Sequence, residues 1–260
     1  MIAWTGSANI QDGITVELRG LKGIHLADDK THVTIGVGET WGSVYDELEK
    51  KGLTTAGGRV GRVGVGGLLL GGEQIPIPRF NIPQRAYSNR TSGGLSFFST
   101  RRGFACDTVI DFEVVLASGE IVHANTHENA DLFVALKGGL NNFGIVAAVK
   151  METIKSQDMW GGVAVYGHET FGQLLEATSD FVKDELDEDT HLMVSAGYVG
   201  AYQMNVASCC MYHTKGVENP PTLQRFTALP MNEEHSSLRR EAGQVKFCDQ
   251  LSSFTLDGSR

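Results

Sequence analysis

Gly57-Gly58-Arg59-Val60-Gly61-Arg62-Val63-Gly64-Val65-Gly66-Gly67-Leu68-Leu69-Leu70-Gly71-Gly72 holds too much glycine for a stable surface helix and too many apolar residues for a linker. Glycine gives up more backbone freedom on ordering than any other residue. A stretch like this therefore persists only where it is buried, with its backbone lying against another backbone or a ligand. Two more glycine clusters follow, Gly93-Gly94 and Gly138-Gly139-Leu140-Asn141-Asn142-Phe143-Gly144. Glycine totals 32 of 260 residues, above the usual share of roughly 7%.

Upstream of the first cluster, Ile14-Thr15-Val16-Glu17-Leu18 alternates at period two and predicts a strand, as does His32-Val33-Thr34-Ile35-Gly36-Val37. Thr40 is placed to cap a helix over Trp41 to Lys51, with Trp41, Val44, Tyr45 and Leu48 on one stripe and Gly52 as the stop. Downstream, Val109 to Leu116 and Ile121 to Ala124 flank an Ala117-Ser118-Gly119 turn and predict a hairpin. Asn129 is expected to cap a short helix from Ala130 to Lys137, and Phe143 to Lys150 reads as another strand. From Trp160 onward the pattern becomes strand, helix (Phe171 to Leu186), strand (His191 to Val199) and strand (Met204 to Tyr212), with a domain boundary near residue 155.

Composition narrows the function. Lys and Arg total 22 against 31 Asp and Glu, a net charge of −9, so a basic footprint for nucleic acid is missing. Lys183-Asp184-Glu185-Leu186-Asp187-Glu188-Asp189 reads as a solvated helix end. No apolar run approaches the roughly 18 residues of a membrane span. The first residues lack the basic and apolar regions of a signal peptide, and compartment is left open. Cys106, Cys209, Cys210 and Cys248 show no metal spacing, and the adjacent pair would point to opposite faces of a strand. No metal is expected. Gly-Lys-Ser/Thr, Gly-x-Ser-x-Gly and a Rossmann Gly-x-Gly-x-x-Gly opening a helix are all absent. Glycine clusters that let backbone N–H groups approach a cofactor and glycine clusters that serve tight turns and packing stand level on physical grounds.

Five segments taken together carry a resemblance. Val63-Gly64-Val65-Gly66-Gly67, Gly93 to Ser99, Gly103-Phe104-Ala105-Cys106-Asp107, Asn129 to Gly139 and Asn142-Phe143-Gly144-Ile145-Val146 lie in the order and spacing of a known cofactor-binding core. They resemble the fungal berberine-bridge-like flavoproteins of the p-cresol methylhydroxylase and vanillyl-alcohol oxidase superfamily. The resemblance runs across most of residues 1–155. It implies an α+β fold: an FAD-binding domain of the p-cresol methylhydroxylase type at 1–155, with its second subdomain mostly present, then part of an α+β substrate domain at 156–260. It also implies cofactor contacts at Gly64, Val65, Gly66, Gly67, Gly71, Gly94, Leu95, Cys106, Asp107, Asn142, Gly144, Ile145 and Val146. Cys106 reads equally as a small buried residue, and Asp107 equally as a structural turn.

Such enzymes pass a hydride from a small organic substrate to the flavin, and oxygen then takes the electrons; the flavin carries the hard chemistry. Three departures from the family are expected to matter. The chain begins where the family's first FAD lobe and its flavin-bearing His should already have passed, and the second covalent position, a Cys, aligns with Val60, so FAD is expected to be non-covalent. Relatives continue beyond residue 260 to a segment that often supplies a catalytic Tyr; Tyr198, Tyr202 and Tyr212 read as strand residues, and no catalytic residue is assigned. Residues 72–92 separate two halves that are contiguous in the family, as either a retained intron or a surface loop. The resulting expectation is a flavin-dependent oxidoreductase of fungal secondary-metabolism style, truncated relative to its family. It acts on a small molecule, with no nucleic-acid or membrane partner and with oligomeric state open. The rival is a non-catalytic remnant that binds no flavin, and a third reading has FAD shaping a cyclisation pocket.

Overall fold

Val33 and Ile35 alternate with half-exposed neighbours and are fully buried, which makes strand β2 (His32–Gly36) one side of a packed layer. The computed structural model describes residues 10–71, 93–184, 187–199 and 203–254. The expected insertion at 72–92 and Tyr202 lie outside them. In chain order the strands are β1 (Ile24–Leu26), β2, β3 (Leu53–Thr54), β4 (Val109–Val115), β5 (Ile121–Asn125), β6 (Ile145–Glu152), β7 (Ile154–Lys155), β8 (Asp158–Tyr166), β9 (Thr190–Val199), β10 (Met204–His213) and β11 (Ser237–Ala242). The helices are α1 (Trp41–Glu49), α2 (Val65–Leu70), α3 (Ser99–Arg102), α4 (Ala130–Leu136), α5 (Phe171–Lys183), α6 (Gln224–Thr227) and α7 (Val245–Phe254). The chain divides into two compact units at Ile154/Lys155, except that Phe97–Arg101 belongs to the second.

The first unit is built on an antiparallel sheet in the order β1-β2-β6-β4-β5. The β4–β5 hairpin pairs Val115 with Ile121 and closes at Gly119, whose φ of +85° favours glycine. Phe112, Val114, Val149 and Met151 form the buried side of the sheet. Trp41, Val44, Tyr45 and Leu48 form the buried stripe of α1. Thr40 caps that helix through the Ser43 N–H, and the Ser43 hydroxyl accepts from Thr40 N in return. Phe133 of α4 packs on Phe112, with ring centres 5.8 Å apart.

The second unit has its own antiparallel sheet, β11-β8-β10-β9. One face carries α5 over Trp160, Tyr166, Cys209 and Met211. On the other, Tyr212 meets Phe97 at 4.6 Å and Phe247 at 5.3 Å. Cys209 lies in the α5-side core and both cysteines are buried, which accords with the opposite-face expectation. Gly161 and Gly162 sit side by side in β8, between β10 and β11, both at φ +145°.

Three expectations need correction. Ile14–Leu18 is not a strand: Ile14 and Val16 are 89% and 57% exposed, and no described strand pairs with the segment. Alternation permits a strand, but only a neighbour's N–H and C=O groups make one. Asn129 does not cap α4 with its side chain; its backbone is left-handed (φ 49°) and its amide donates to His123 O at 2.7 Å. The acidic stretch is not simply solvated, because Asp189 is buried against Arg101 and Lys215.

Candidate functional site

The glycine stretch is laced to the turn that joins β2 to α1. Trp41 N donates to Val63 O at 3.0 Å and Gly42 N to Gly61 O at 2.7 Å. Val65 N donates to Glu39 O at 2.9 Å, and Gly66 N to Val37 O at 3.4 Å. Earlier in the stretch, Gly57 and Gly58 lie on the Trp41 indole, where any side chain would overlap the ring. Tyr45 Oη donates to Gly58 O at 2.9 Å. Val65 and Leu69 turn inward from α2 and are fully buried. The remaining clusters join at the same helix. Leu68 packs on Gly94, Ala105 N donates to Gly94 O at 2.7 Å, and Leu140 N donates to Leu70 O at 2.8 Å.

The glycines separate into two kinds. At Gly66 a Cβ would stand 3.0 Å from Val37 Cβ, and at Gly71 it would stand 2.5 Å from Gly67 O. At Gly94 it would meet Leu68 Cγ at 2.5 Å, and at Gly144 it would meet Val114 Cγ1 and Val115 O at 2.8 Å. Gly94 and Gly144 also have φ values of +87° and +143°. Packing of the chain on itself accounts for all four. Gly64 and Gly67 are different. Both are exposed; among the described residues nothing lies within 4 Å of a Cβ at Gly67, and a Cβ at Gly64 meets Glu39 O, at 4.0 Å. Neither has a positive φ, so neither the backbone nor the described neighbours demand glycine there. In a helix such as α2, glycine at 67 costs about 1 kcal/mol relative to alanine. Like the exposed Gly20, Gly172 and Gly197, Gly64 and Gly67 leave bare backbone that no described residue crowds.

The other predicted residues fall as follows. Leu95 and Ile145 are 40% and 38% exposed, and with Leu140 and Phe143, at 45% and 44%, they leave the glycine-bearing loops apolar on their outer side. Cys106 is 2% exposed, its sulfur filling the space beside Gly93. Asp107 accepts from Phe104 N at 2.9 Å and closes the 3-10 turn Ala105–Thr108. Asn142 is exposed and donates to Gly139 O at 2.8 Å, while Val146 is buried. Ala147 O accepts from Val37 N at 3.1 Å, which ties the start of β6 to the same β2–α1 turn. Sequence reasoning passed over that turn, Val37-Gly38-Glu39. The signal was an acidic residue directly after a strand's Gly-x-Gly, one step before a helix cap.

Glu39 is 9% exposed. Its carboxylate accepts from Gly23 N at 3.1 Å, Ser43 Oγ at 2.9 Å and Lys22 Nζ at 3.2 Å. Burial alone would push its pKa up; these three donors outweigh burial and hold it below the usual value.

In the second unit, Asp187, Asp189 and His213 bring ligand atoms within 4.8 Å of one another. They form an ion-pair network. Asp189 is paired with Lys215 at 2.6 Å and with Arg101, and Thr214 Oγ1 donates to it at 3.0 Å. His213 Nδ1 accepts from Lys215 N and Val217 N, both at 3.3 Å, and so holds no proton. Burial lowers the His213 pKa, and Lys215 and Arg101 push it the same way against Asp187. The unfolded chain therefore takes up this proton at a higher pH than the folded one. Stability from this group is complete above the ordinary histidine value and falls as pH drops through the window below it. Urea midpoints followed by near-ultraviolet circular dichroism should fall from pH 7.5 to 5.5 in the parent chain. They should fall less in His213→Asn, whose side-chain oxygen can accept in place of Nδ1. Equal slopes would assign the acid sensitivity elsewhere.

Exposed Gly64 and Gly67, with the part-exposed apolar Leu95, Leu140, Phe143 and Ile145, lie on the glycine-bearing loops and helix of an α+β domain. Residues 3–74 match the FAD binding domain family. The FAD-dependent monooxygenase tpcD of Cochliobolus heterostrophus is 36% identical over 224 residues, 85% of this chain and 39% of the relative. Among solved structures, 6-hydroxy-D-nicotine oxidase of Arthrobacter nicotinovorans aligns with a TM-score of 0.74 at 23% identity, covering 96% of this chain and 51% of that one. The berberine-bridge-like enzyme 1 of Physcomitrella patens gives 0.68 at 19% identity, over 87% and 44%. The chain thus carries a match to the FAD binding domain family, is similar over most of its length to fungal FAD-dependent monooxygenases, and shares its fold with these two solved structures. It spans about two fifths of the length of the curated relatives it matches.

Proposed function

We propose that this chain holds FAD without a covalent bond and forms the FAD-holding part of an oxidoreductase that acts on a small organic molecule. The observation that carries the reading is the exposed pair Gly64 and Gly67 in the glycine stretch, where no described residue crowds a Cβ. The main chain of Gly64 to Gly67 would lie against the cofactor, kept in place by the Val37 and Glu39 carbonyls. Leu95, Leu140 and Ile145 would exclude water from its apolar parts. Gly66, Gly71, Gly94 and Gly144 act one step back, by letting the loops that carry these residues close on one another. Asn142 would keep its loop in shape through Gly139 O. Cys106 and Asp107 build the turn behind Gly94. Bound FAD would supply the two-electron acceptor, with oxygen taking the electrons from it.

Purified protein incubated with FAD and desalted should keep the visible flavin absorbance, and acid precipitation should release all of it. Flavin that stays with the acid pellet would refute the non-covalent assignment. Protein that emerges colourless would refute FAD binding and leave the non-catalytic remnant as the reading. Reduction of the retained flavin by an added alcohol or sugar, followed by reoxidation in air, tests the oxidoreductase half.

A further inference from the structure

We infer that Glu39 is a positioning residue for the FAD-binding backbone, joining the segment Lys22–Gly23 to the glycine stretch. The inference rests on the FAD reading above and assigns it a support that lies outside the glycine clusters.

Three elements converge on the turn Val37–Glu39, and each bond has a direction. Val37 N reaches Ala147 O of β6, Val37 O receives Gly66 N, and Glu39 O receives Val65 N. The turn thus spaces the start of α2 from the start of β6, the two places that carry Gly64 to Gly67 and Ile145. Backbone bonds alone leave such a turn free to tilt, because each is made at the edge of an element. The Glu39 carboxylate removes that freedom. It gathers the Gly23 N–H and the Lys22 ammonium on one side and the Ser43 hydroxyl of α1 on the other. Ser43 is also the residue that closes the α1 cap with Thr40. Gly36 N to Gly23 O and Gly38 N to Leu21 O, both 2.9 Å, lace the same segment to the turn. A buried carboxylate with three donors is costly to keep unless its geometry is useful. Its carbonyl, in the same residue, sets the height of Val65.

The test compares FAD affinity with stability in the full chain. Glu39→Gln keeps one acceptor oxygen for Gly23 N and turns an amide donor toward the Ser43 hydroxyl, which can accept it, whereas Glu39→Ala keeps neither. Because small misplacements of a binding group are expensive, Glu39→Ala should weaken FAD binding by about tenfold or more and Glu39→Gln by no more than about threefold. Tyr166→Phe, which removes the Tyr166 Oη to Phe226 O bond in the second unit, is the stability control and should leave FAD affinity unchanged at a comparable loss of melting temperature. Parent affinity in a folded Glu39→Ala overturns the inference, as does an equal loss in Tyr166→Phe. If Glu39→Ala does not fold, Ser43→Ala and Lys22→Met each remove one donor. A measurable loss of FAD affinity in both supports the inference; parent affinity in either overturns it. A parent chain that binds no FAD fails differently: it sinks the FAD reading itself before any variant is compared.

Discussion

Gly67→Leu should fold as the parent does and lose FAD, with a dissociation constant on the order of 100-fold higher, or about 2.8 kcal/mol. Position 67 is exposed and helical, and no described residue lies within 4 Å of a Cβ there, so the side chain starts out uncrowded. Replacing glycine in a helix should even raise the melting temperature, by about 1 kcal/mol of stability at most. Gly67→Ala tests the same point more gently: greater stability and a smaller loss of FAD. Isothermal titration with FAD beside a thermal melt decides the matter. Gly66 and Gly144 are poorer choices, because a side chain at either presses on Val37 or on Val114 and Val115, and lost binding there would only report a damaged fold. If Gly67→Leu retains parent affinity, the bare backbone at α2 does not face the cofactor.

Gly162→Ala should unfold the second unit at temperatures where the first stays native. The residue lies in the middle of a central strand at φ +145°, a conformation that L side chains rarely adopt. A Cβ there would overlap Ser237 O, the carbonyl across the ladder on β11. Strain and overpacking together place the cost at about 3 kcal/mol or more. For a unit of this size the melting temperature should drop by roughly 12 °C or more. Trypsin digestion over a temperature series, read by mass spectrometry, should show cleavage sites within β8–β11 appearing first. Simultaneous loss of both units would show that they melt as one. Unchanged stability would mean that β8 can shift away from β11 without cost.

The parts of the fold legible in advance were those written locally. Trp41, Val44, Tyr45 and Leu48 fall on one side of a helix because of their spacing alone, and Thr40 and Gly52 mark its ends. The hairpin at Gly119 is equally local. What escaped depends on residues far apart in the chain. Ile14–Leu18 alternates as well as β2 does, yet β2 has β1 and β6 beside it. Asp189 looks like one more surface acid until Arg101, nearly ninety positions earlier, is brought beside it. In the glycine stretch, composition marked the region without ranking its members. Gly64, Gly66, Gly67 and Gly71 are interchangeable letters, and only the neighbours of each absent Cβ separate the two that face outward from the two that face the chain.

The excursion Phe97–Arg101 has a practical meaning for anyone dividing this protein. The second unit does not simply begin at Lys155; it is assembled from two stretches of chain. Phe97 supplies a ring against Tyr212, Thr100 donates to Thr190 O at 2.9 Å, and Arg101 neutralises Asp189. A gene cut at residue 155 would produce a polypeptide with an unfilled notch beside Tyr212 and a buried acid deprived of one of its two cations. The severed portion would be an incomplete object, since the five residues that finish it are encoded more than fifty codons upstream.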